Sequence, residues 1–333
     1  MNIKDLFTKR HGQLILVVII AAILPLFVKN DSIRHIGILM LLYVILALGL
    51  EVALGITGLF SLCHAAFYGM GAYVSALLSL RLGWSFWITM PLGAISAGIL
   101  GLLIGLPALR TSGDYLAIAT LGMGEIFRLA LINGGKFTRG PSGLPGIARP
   151  HLFGISFLNK ATYYYLLLIV AVIVYLVVLH IPRTFFGRAL MAVRDDEAAA
   201  GFMGINVSRY RIAAFAISGL IAGIAGAFYA HYICFISPDT FVYNDSITIL
   251  TMVLIGGTGT VVGPVLGAIL LTILPEFLRS FVQYRMLIYG IIVVVMMQFM
   301  PHGVLGKVNT RNSYLRSLLK DKGFLGDKER KEV

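Results

Sequence analysis

Among the ionisable side chains inside or beside apolar stretches of the sequence, three could do chemistry: His64, Glu125 and Arg128. A carboxylate in such a stretch can bind a proton or a polar substrate, and an imidazole can relay a proton. Glu125 and Arg128 are three residues apart, so a helix would place them side by side as an ion pair. For Glu125 we consider two roles, a point on a transport pathway and a structural ion pair near the outer surface. For His64 we favour a structural hydrogen bond over a proton relay.

The sequence lacks the motifs that identify common membrane-bound enzymes. The phosphate-binding pattern G-x-x-x-x-G-K-[ST] is missing, because Gly135-Lys136 lacks the upstream glycine and the following hydroxyl residue. The patterns H-E-x-x-H, C-x-x-C and G-x-S-x-G are missing as well. Cys63 and Cys234 give neither a disulfide framework nor the spacing of metal ligands. We therefore expect no catalytic residue, no metal site and no cofactor bound by this chain.

A polar segment lies between two apolar stretches, residues 162–181 and 212–233. It contains five arginines and three acidic residues, Arg183, Arg188, Arg194, Asp195, Asp196, Glu197, Arg209 and Arg211. Each charge would cost roughly 2.5–3.5 kcal/mol or more at the centre of a bilayer, so the segment must lie in water. Its basic excess predicts the cytoplasmic side of a membrane. We call residues 183–211 the cytoplasmic loop.

A short helix is predicted inside the cytoplasmic loop. Its sequence is Asp195-Asp196-Glu197-Ala198-Ala199-Ala200, and Gly204 follows four residues later. The acids suit the positive end of a helix dipole, alanine is the best helix former, and Gly204 is placed to end the helix. A small-faced helix with a glycine stop suits docking into a groove on another protein. The alternative is a plain connector.

The composition is that of an integral membrane protein. Of the 333 residues, 58% are hydrophobic and 13% are charged, whereas soluble domains have about 25% charged residues. The net charge of +12 does not indicate nucleic acid, because the basic residues concentrate in loops and tails beside apolar stretches. Membrane lipid is therefore the expected surrounding of the chain.

The apolar stretches predict an all-α, polytopic transmembrane bundle of about ten spans, each needing about 20 residues. They lie near 13–28, 36–54, 66–80, 86–106, 115–132, 162–181, 212–233, 247–258, 261–278 and 286–300. The distribution of Lys and Arg predicts that both termini are cytoplasmic. Residues 1–306 would form the transmembrane domain, with a basic cytoplasmic tail at 307–333. Small residues at four-residue spacing predict close helix packing, as in Ala97, Gly101 and Gly105, in Gly219, Gly223 and Ala227, and in Gly259, Gly263 and Gly267.

Two glycine-rich stretches interrupt apolar segments, Gly55–His64 and Gly256–Gly263. Paired interruptions of this kind are typical of broken helices that line a transport cavity. We predict that the two stretches meet near the bilayer midplane, with tight helix packing as the competing explanation. The candidate residues for the substrate pathway are Ser61, His64, Tyr68, Tyr73, Thr120, Glu125 and Thr258.

Several stretches resemble permeases of the branched-chain amino acid ABC transporter family, over about residues 37–306. They include Gly113-Asp114-Tyr115, Gly187-Arg188-Ala189-Leu190, Arg194-Asp195-Asp196-Glu197 and Gly263-Pro264-Val265-Leu266-Gly267. The cytoplasmic loop resembles the coupling loop of ABC importer permeases, in which Glu-Ala-Ala is followed by three residues and Gly. Here four residues, not three, separate Glu197-Ala198-Ala199 from Gly204, and Cys63 stands where relatives usually have Gly.

The resemblance implies one half of a two-permease channel in a bacterial or archaeal cytoplasmic (inner) membrane. It implies a second permease subunit, two ABC ATPase subunits that bind the ATP, and an extracytoplasmic binding protein that delivers leucine, isoleucine or valine. Coupling to the ATPase would then fall on Gly187, Arg188, Arg194, Asp195, Asp196, Glu197, Ala198, Ala199 and Gly204. A urea or short-amide permease of the same family is one alternative. A proton-coupled secondary carrier that uses Glu125 and His64 is another, and a membrane enzyme is a third.

Overall fold

The computed structural model describes residues 31–109, 111, 113–152, 155–157, 159–277, 290 and 294. The helices in this part of the chain are α1 Asp31–Glu51, α2 His64–Leu82, α3 Phe86–Ala108, α4 Asp114–Ile132, α5 Gly135–Thr138, α6 Lys160–His180, α7 Phe185–Asp195, α8 Glu197–Phe202, α9 Val207–Ile233, α10 Tyr243–Gly256 and α11 Val262–Phe277. A π-helical turn, Val52–Ile56, continues α1. Short strands form two antiparallel pairs, β1 Leu144–Pro145 with β4 Phe235–Ile236 and β2 His151–Leu152 with β3 Ile155–Ser156.

Six helices in the described part of the chain are long and apolar enough to cross a membrane. They are α1 with its π-helical turn, α2, α3, α4, α6 and α9, and each matches one predicted span. The spans predicted at 247–258 and 261–278 correspond to the shorter helices α10 and α11, of 14 and 16 residues. The spans at 13–28 and 286–300 and the tail lie outside the described residues. An all-α, polytopic membrane protein is confirmed, and the total of ten spans stays a prediction.

Helix α9 packs along α1, α2 and α3, and the small residues predicted to allow close approach lie at these contacts. A Cβ on Gly219 would meet the backbone carbonyl of Ala97, and a Cβ on Gly101 would meet that of Phe215. Gly263 and Gly267 serve the packing of α11 on α10 in the same way. Gly259 does not belong to this stripe, because it lies in the turn before α11 with φ +80°. Glycine is needed there for its backbone conformation.

Replacing Gly226 with alanine should destabilise the bundle, because the new Cβ would meet the Tyr68 carbonyl and lie 2.8 Å from the Ala72 nitrogen. Backbone cannot rotate away, so α2 and α9 must separate, at an expected cost of about 1–3 kcal/mol. Gly122 of α4 is the matched control, since its Cβ position meets nothing within 4 Å. There alanine should stabilise the helix by up to about 1 kcal/mol. Denaturant unfolding in detergent measures both changes, and equal midpoints would contradict the packing described here.

The chain between α1 and α2 is unwound, and other helices bind its free backbone groups. Gly58 has φ +76°, and residues 58–63 form no helix. The amide of Leu62 donates to Thr120 Oγ1 of α4 (3.0 Å), and the amide of Ala65 donates to Ser246 Oγ of α10 (2.9 Å). Irregular backbone at membrane depth needs such partners. The interruption predicted from the glycines is therefore present, and hydrogen bonds connect it and the start of α2 to α4 and α10.

Candidate functional site

The cytoplasmic loop contains two consecutive helices, α7 and α8, where one short helix was predicted. Helix α7 begins at Thr184, whose Oγ1 accepts a hydrogen bond from the Gly187 amide (3.0 Å). Its buried residues Gly187, Leu190 and Val193 hold it against the protein body. Gly187 packs against the Ile181 carbonyl, where no side chain would fit. Helix α7 therefore places the end of the loop at a fixed position.

Helix α8 ends at Gly204 as the sequence predicts and begins at Asp196, whereas Asp195, which was also predicted to start it, is the last residue of α7. Asp196 Oδ1 accepts hydrogen bonds from the amides of Ala198 (2.9 Å) and Ala199 (3.0 Å), which makes it the N-cap. At the other end Gly204 has φ +83°. Its amide donates to the Gly201 carbonyl, and the Ile205 amide donates to the Ala200 carbonyl, each at 3.0 Å. This is the Schellman ending that glycine favours.

One face of α8 is exposed and the other packs inward, so the three alanines do not share one role. Ala200 is buried, whereas Ala198 and Ala199 are exposed. The exposed face continues into Phe202 and Met203, which are 93% and 84% exposed. Sequence reasoning missed these two large apolar residues. A phenylalanine and a methionine between Gly201 and Gly204 in a charged loop were the available signal, since large exposed apolar side chains mark contact surfaces.

The acidic and basic residues of the loop mainly fix its shape. Glu197 Oε2 accepts from Arg211 Nη1 (3.2 Å), and Arg211 Nη2 donates to the Thr111 carbonyl (2.7 Å) before α4. Arg188 donates from Nη1 to the Arg183 carbonyl (2.8 Å) and lies over the Phe185 ring, which is 87% exposed. These contacts tie α8 to the start of α9 and to the segment before α4.

Arg194 points inward and reaches the two interrupted stretches. Its Nη1 donates to the carbonyl of Gly55 in the π-helical turn (2.7 Å), while Nη2 pairs with Asp195 (3.2 Å). Glu51, in the last turn of α1, accepts at Oε1 from the Gly259 amide in the turn between α10 and α11 (2.8 Å). We call these contacts, between the π-helical turn and residues 257–261, the junction. The two stretches therefore meet, as predicted.

The level at which the stretches meet differs from the prediction. Arg194 belongs to the charged loop between α6 and α9, and a guanidinium of that loop stays near water. Because Arg194 contacts Gly55, which lies at the end of the apolar helix Asp31–Ile56, the junction lies toward the loop-side ends of the spans and not at their middle. Thr258, in the turn between α10 and α11, is exposed at this end.

Ser61, His64 and Thr120 lie together in the buried part of the α1–α2 interruption. Ser61 Oγ is 3.2 Å from Cys63 Sγ, and Thr120 Oγ1 accepts from the neighbouring Leu62 amide while donating to the Ala117 carbonyl (2.9 Å). His64 Nε2 donates to the Leu46 carbonyl (3.0 Å), which leaves Nδ1 as the acceptor for Ser218 Oγ (3.5 Å). Both ring nitrogens of His64 thus have partners within the protein, which agrees with a structural hydrogen bond and not with a proton relay.

Tyr68 and Tyr73 pack in an aromatic cluster around Phe241. The ring centroids of Tyr68 and Phe241 are 5.1 Å apart, and those of Tyr73 and Phe241 are 5.9 Å apart. Tyr229 of α9 completes the cluster at 5.4 Å from Tyr68. The buried hydroxyl of Tyr73 has no hydrogen-bond partner among the described residues.

Glu125 forms the predicted ion pair with Arg128, at 2.7 Å. Arg128 also pairs with Asp239 of the turn before α10, at 2.9 Å, so one guanidinium joins two carboxylates. The Glu125 side chain is 38% exposed. The structure therefore divides the predicted pathway residues among the junction, the buried interruption, the aromatic cluster and this ion-pair group.

The comparisons with known proteins point to one class of membrane protein. Residues 32–298 match the family model described as "Branched-chain amino acid transport system / permease component". The chain is similar to the high-affinity branched-chain amino acid transport system permease protein LivM of Escherichia coli K12 and to that of Salmonella typhimurium LT2. Each is 36% identical over 320 residues, covering 89% of this chain and 75% of the relative.

A more distant similarity extends to proteins with another named role. The autoinducer 2 import system permease protein LsrC of Yersinia enterocolitica is 32% identical over 240 residues, covering 69% of this chain and 60% of the relative. LsrC of Enterobacter sp. 638 is 34% identical over 194 residues, covering 55% of this chain and 52% of the relative. No solved structure matches the chain.

Proposed function

This chain belongs to the family of branched-chain amino acid transport permeases, and we infer that it is a permease subunit of an ABC importer for branched-chain amino acids. The observation that carries the inference is the 36% identity to LivM over 89% of the chain. The six apolar helices agree with a multi-pass protein of the cytoplasmic membrane. Leucine, isoleucine and valine are the proposed substrates.

We propose that α8 is the coupling helix that docks on an ABC ATPase subunit. Its exposed face of Ala198, Ala199, Phe202 and Met203 gives a small flat area beside two large apolar anchors. Anchors of this kind supply most of the binding free energy in protein interfaces. The pairs Glu197–Arg211 and Arg194–Gly55 then hold the helix to two different parts of the permease.

The partners follow from the same proposal. A second permease subunit would form the translocation path together with this chain, and two ABC ATPase subunits would bind the ATP. An extracytoplasmic binding protein would deliver the substrate. Both termini would be cytoplasmic, which places the cytoplasmic loop on the ATPase side.

The buried interruption, the aromatic cluster and the ion-pair group supply candidate pathway groups. A branched-chain amino acid presents an ammonium, a carboxylate and an apolar side chain. Glu125 could bind the ammonium, and Arg128 or the Tyr73 hydroxyl could bind the carboxylate. The rings of Tyr68 and Phe241 offer apolar surface for the side chain. We propose that Ser61, Thr120 and Thr258 mark the inner part of the same route.

Substrate competition tests the proposed substrates. The complete complex, reconstituted with its binding protein and with ATP at the ATPase side, should take up labelled leucine. Unlabelled isoleucine and valine should suppress this uptake, because a site shaped for a branched apolar side chain distinguishes one methylene only weakly. Urea, acetamide and autoinducer 2 should not compete. Suppression by urea or acetamide would transfer the assignment to the short-amide permeases, and suppression by autoinducer 2 alone would transfer it to the LsrC-like importers.

A further inference from the structure

Glu51 is a carboxylate at the place where two interrupted helices meet. It lies in the last turn of α1 and is 1% exposed. Its Oε1 accepts the Gly259 amide, 208 residues away in sequence, while Oε2 is buried without a hydrogen-bond partner among the described residues. Burying a carboxylate whose hydrogen bonds are incomplete is costly, and such groups in a membrane span are a sign of function.

Arg194 arrives at the same place from the cytoplasmic loop. It donates to the Gly55 carbonyl, and the Cβ position of Gly259 lies 3.4 Å from its Nη1. The Cβ position of Gly58 lies 2.7 Å from Arg194 Cγ, so a side chain at Gly58 would push the arginine away. Gly55 in turn leaves room for the Glu51 carboxylate, which a Cβ there would overlap. The three glycines thus leave space for the Glu51 carboxyl group and the Arg194 guanidinium, which contact the two interrupted stretches.

We propose that Glu51 and Arg194 are positioning residues that form a latch between the coupling helix and the two broken-helix segments. The inference rests on the proposed function, since it presumes that an ATPase moves α8. Arg194 is the second-last residue of α7, and the α8 N-cap Asp196 is two residues later. A displacement of α8 therefore moves the guanidinium directly. Gly55 follows through the Arg194 hydrogen bond, and Gly259 follows through Glu51.

Packing alone does not account for these residues. An apolar side chain would fill the space of Glu51 at lower cost, because no carboxyl oxygen would then be buried without a hydrogen-bond partner. The hydrogen bond from the Gly259 amide also joins α1 to the turn between α10 and α11. Hydrogen bonds that join separate segments in this way can carry a displacement of one segment to another.

The test uses the complete complex in proteoliposomes, with Glu51→Gln, Arg194→Gln and the double variant. Glutamine at 51 keeps the shape and the acceptor oxygen but replaces the second carboxyl oxygen with an NH2 group. The matched control is Asp31→Asn at the other end of α1, where the carboxylate is 71% exposed. We expect each single variant to retain its ATPase subunits and to hydrolyse ATP. Leucine uptake per ATP should fall about tenfold, within the usual range of coupling free energies. Asp31→Asn should behave as the wild type.

The double variant decides whether the two residues act together. If they form one latch, its uptake per ATP should equal that of the single variants, because the coupling can be lost only once. Losses that multiply in the double variant would overturn the latch. So would uptake per ATP within about twofold of wild type in both single variants. Should Glu51→Gln fail to assemble, Arg194→Gln alone decides. Its uptake per ATP should then fall about tenfold, and a value within about twofold of wild type would overturn the latch. A wild-type complex without ATP-driven leucine uptake would overturn the proposed function, and the latch with it.

Discussion

Replacing Ala199 with aspartate is expected to abolish leucine uptake and to release the ATPase subunits, while the permease stays folded in the membrane. The Ala199 side chain is exposed on the outer face of α8, so aspartate costs the isolated permease little. In the assembled transporter the same carboxylate would be buried at the interface without a partner. Phe202→Asp should act in the same way through loss of an anchor, at about 2 kcal/mol or more, roughly thirtyfold in affinity.

The measurement is co-purification of the ATPase subunits from detergent, followed by uptake in proteoliposomes. Ser208→Asp is the matched control, since Ser208 is exposed in the first turn of α9, where an acid is favourable. We prefer Ala199 to Gly204 for this test. A side chain at Gly204, with φ +83°, would strain the turn and confuse local unfolding with lost docking. Normal ATPase recovery and normal uptake in both Ala199→Asp and Phe202→Asp would show that α8 is not the coupling helix.

Local sequence rules predicted the elements whose causes are local. The six long apolar helices follow from hydrophobic length. The beginning and end of α8 follow from the side chain of Asp196 and the backbone freedom of Gly204. The Glu125–Arg128 pair follows from three-residue spacing on a helix. In each case the interacting residues are close in sequence, so the local sequence pattern is enough to predict the element or the contact.

Contacts between distant segments could not be predicted in this way. Glu51 meets Gly259 across 208 residues, and Arg194 meets Gly55 across 139. In the sequence Glu51 is one polar residue at the end of an apolar stretch, with nothing beside it to indicate a partner. The hydrogen bond from the Ala65 amide to Ser246 Oγ could not be predicted for the same reason. The depth of the junction was wrong because it depends on Arg194, which reaches inward from a loop.

The energy source is the second large expected effect, and it separates an ABC permease from a proton-coupled carrier. Leucine uptake should depend entirely on ATP and should not change when a proton ionophore is added. A carrier needs a side chain in its spans that is free to gain and lose a proton. Glu125 is paired with Arg128, and the two ring nitrogens of His64 contact Leu46 and Ser218, so neither candidate of the carrier hypothesis is free in this way.

The most direct measurement is leucine accumulation in proteoliposomes of the whole complex, with ATP supplied only at the side of the cytoplasmic loop. The membrane carries either no proton gradient, an imposed gradient, or an imposed gradient with ionophore. We predict accumulation wherever ATP is present, at equal rates in the three conditions, and none with a non-hydrolysable analogue. Accumulation driven by the proton gradient without ATP, and abolished by the ionophore, would contradict the assignment as an ABC importer permease.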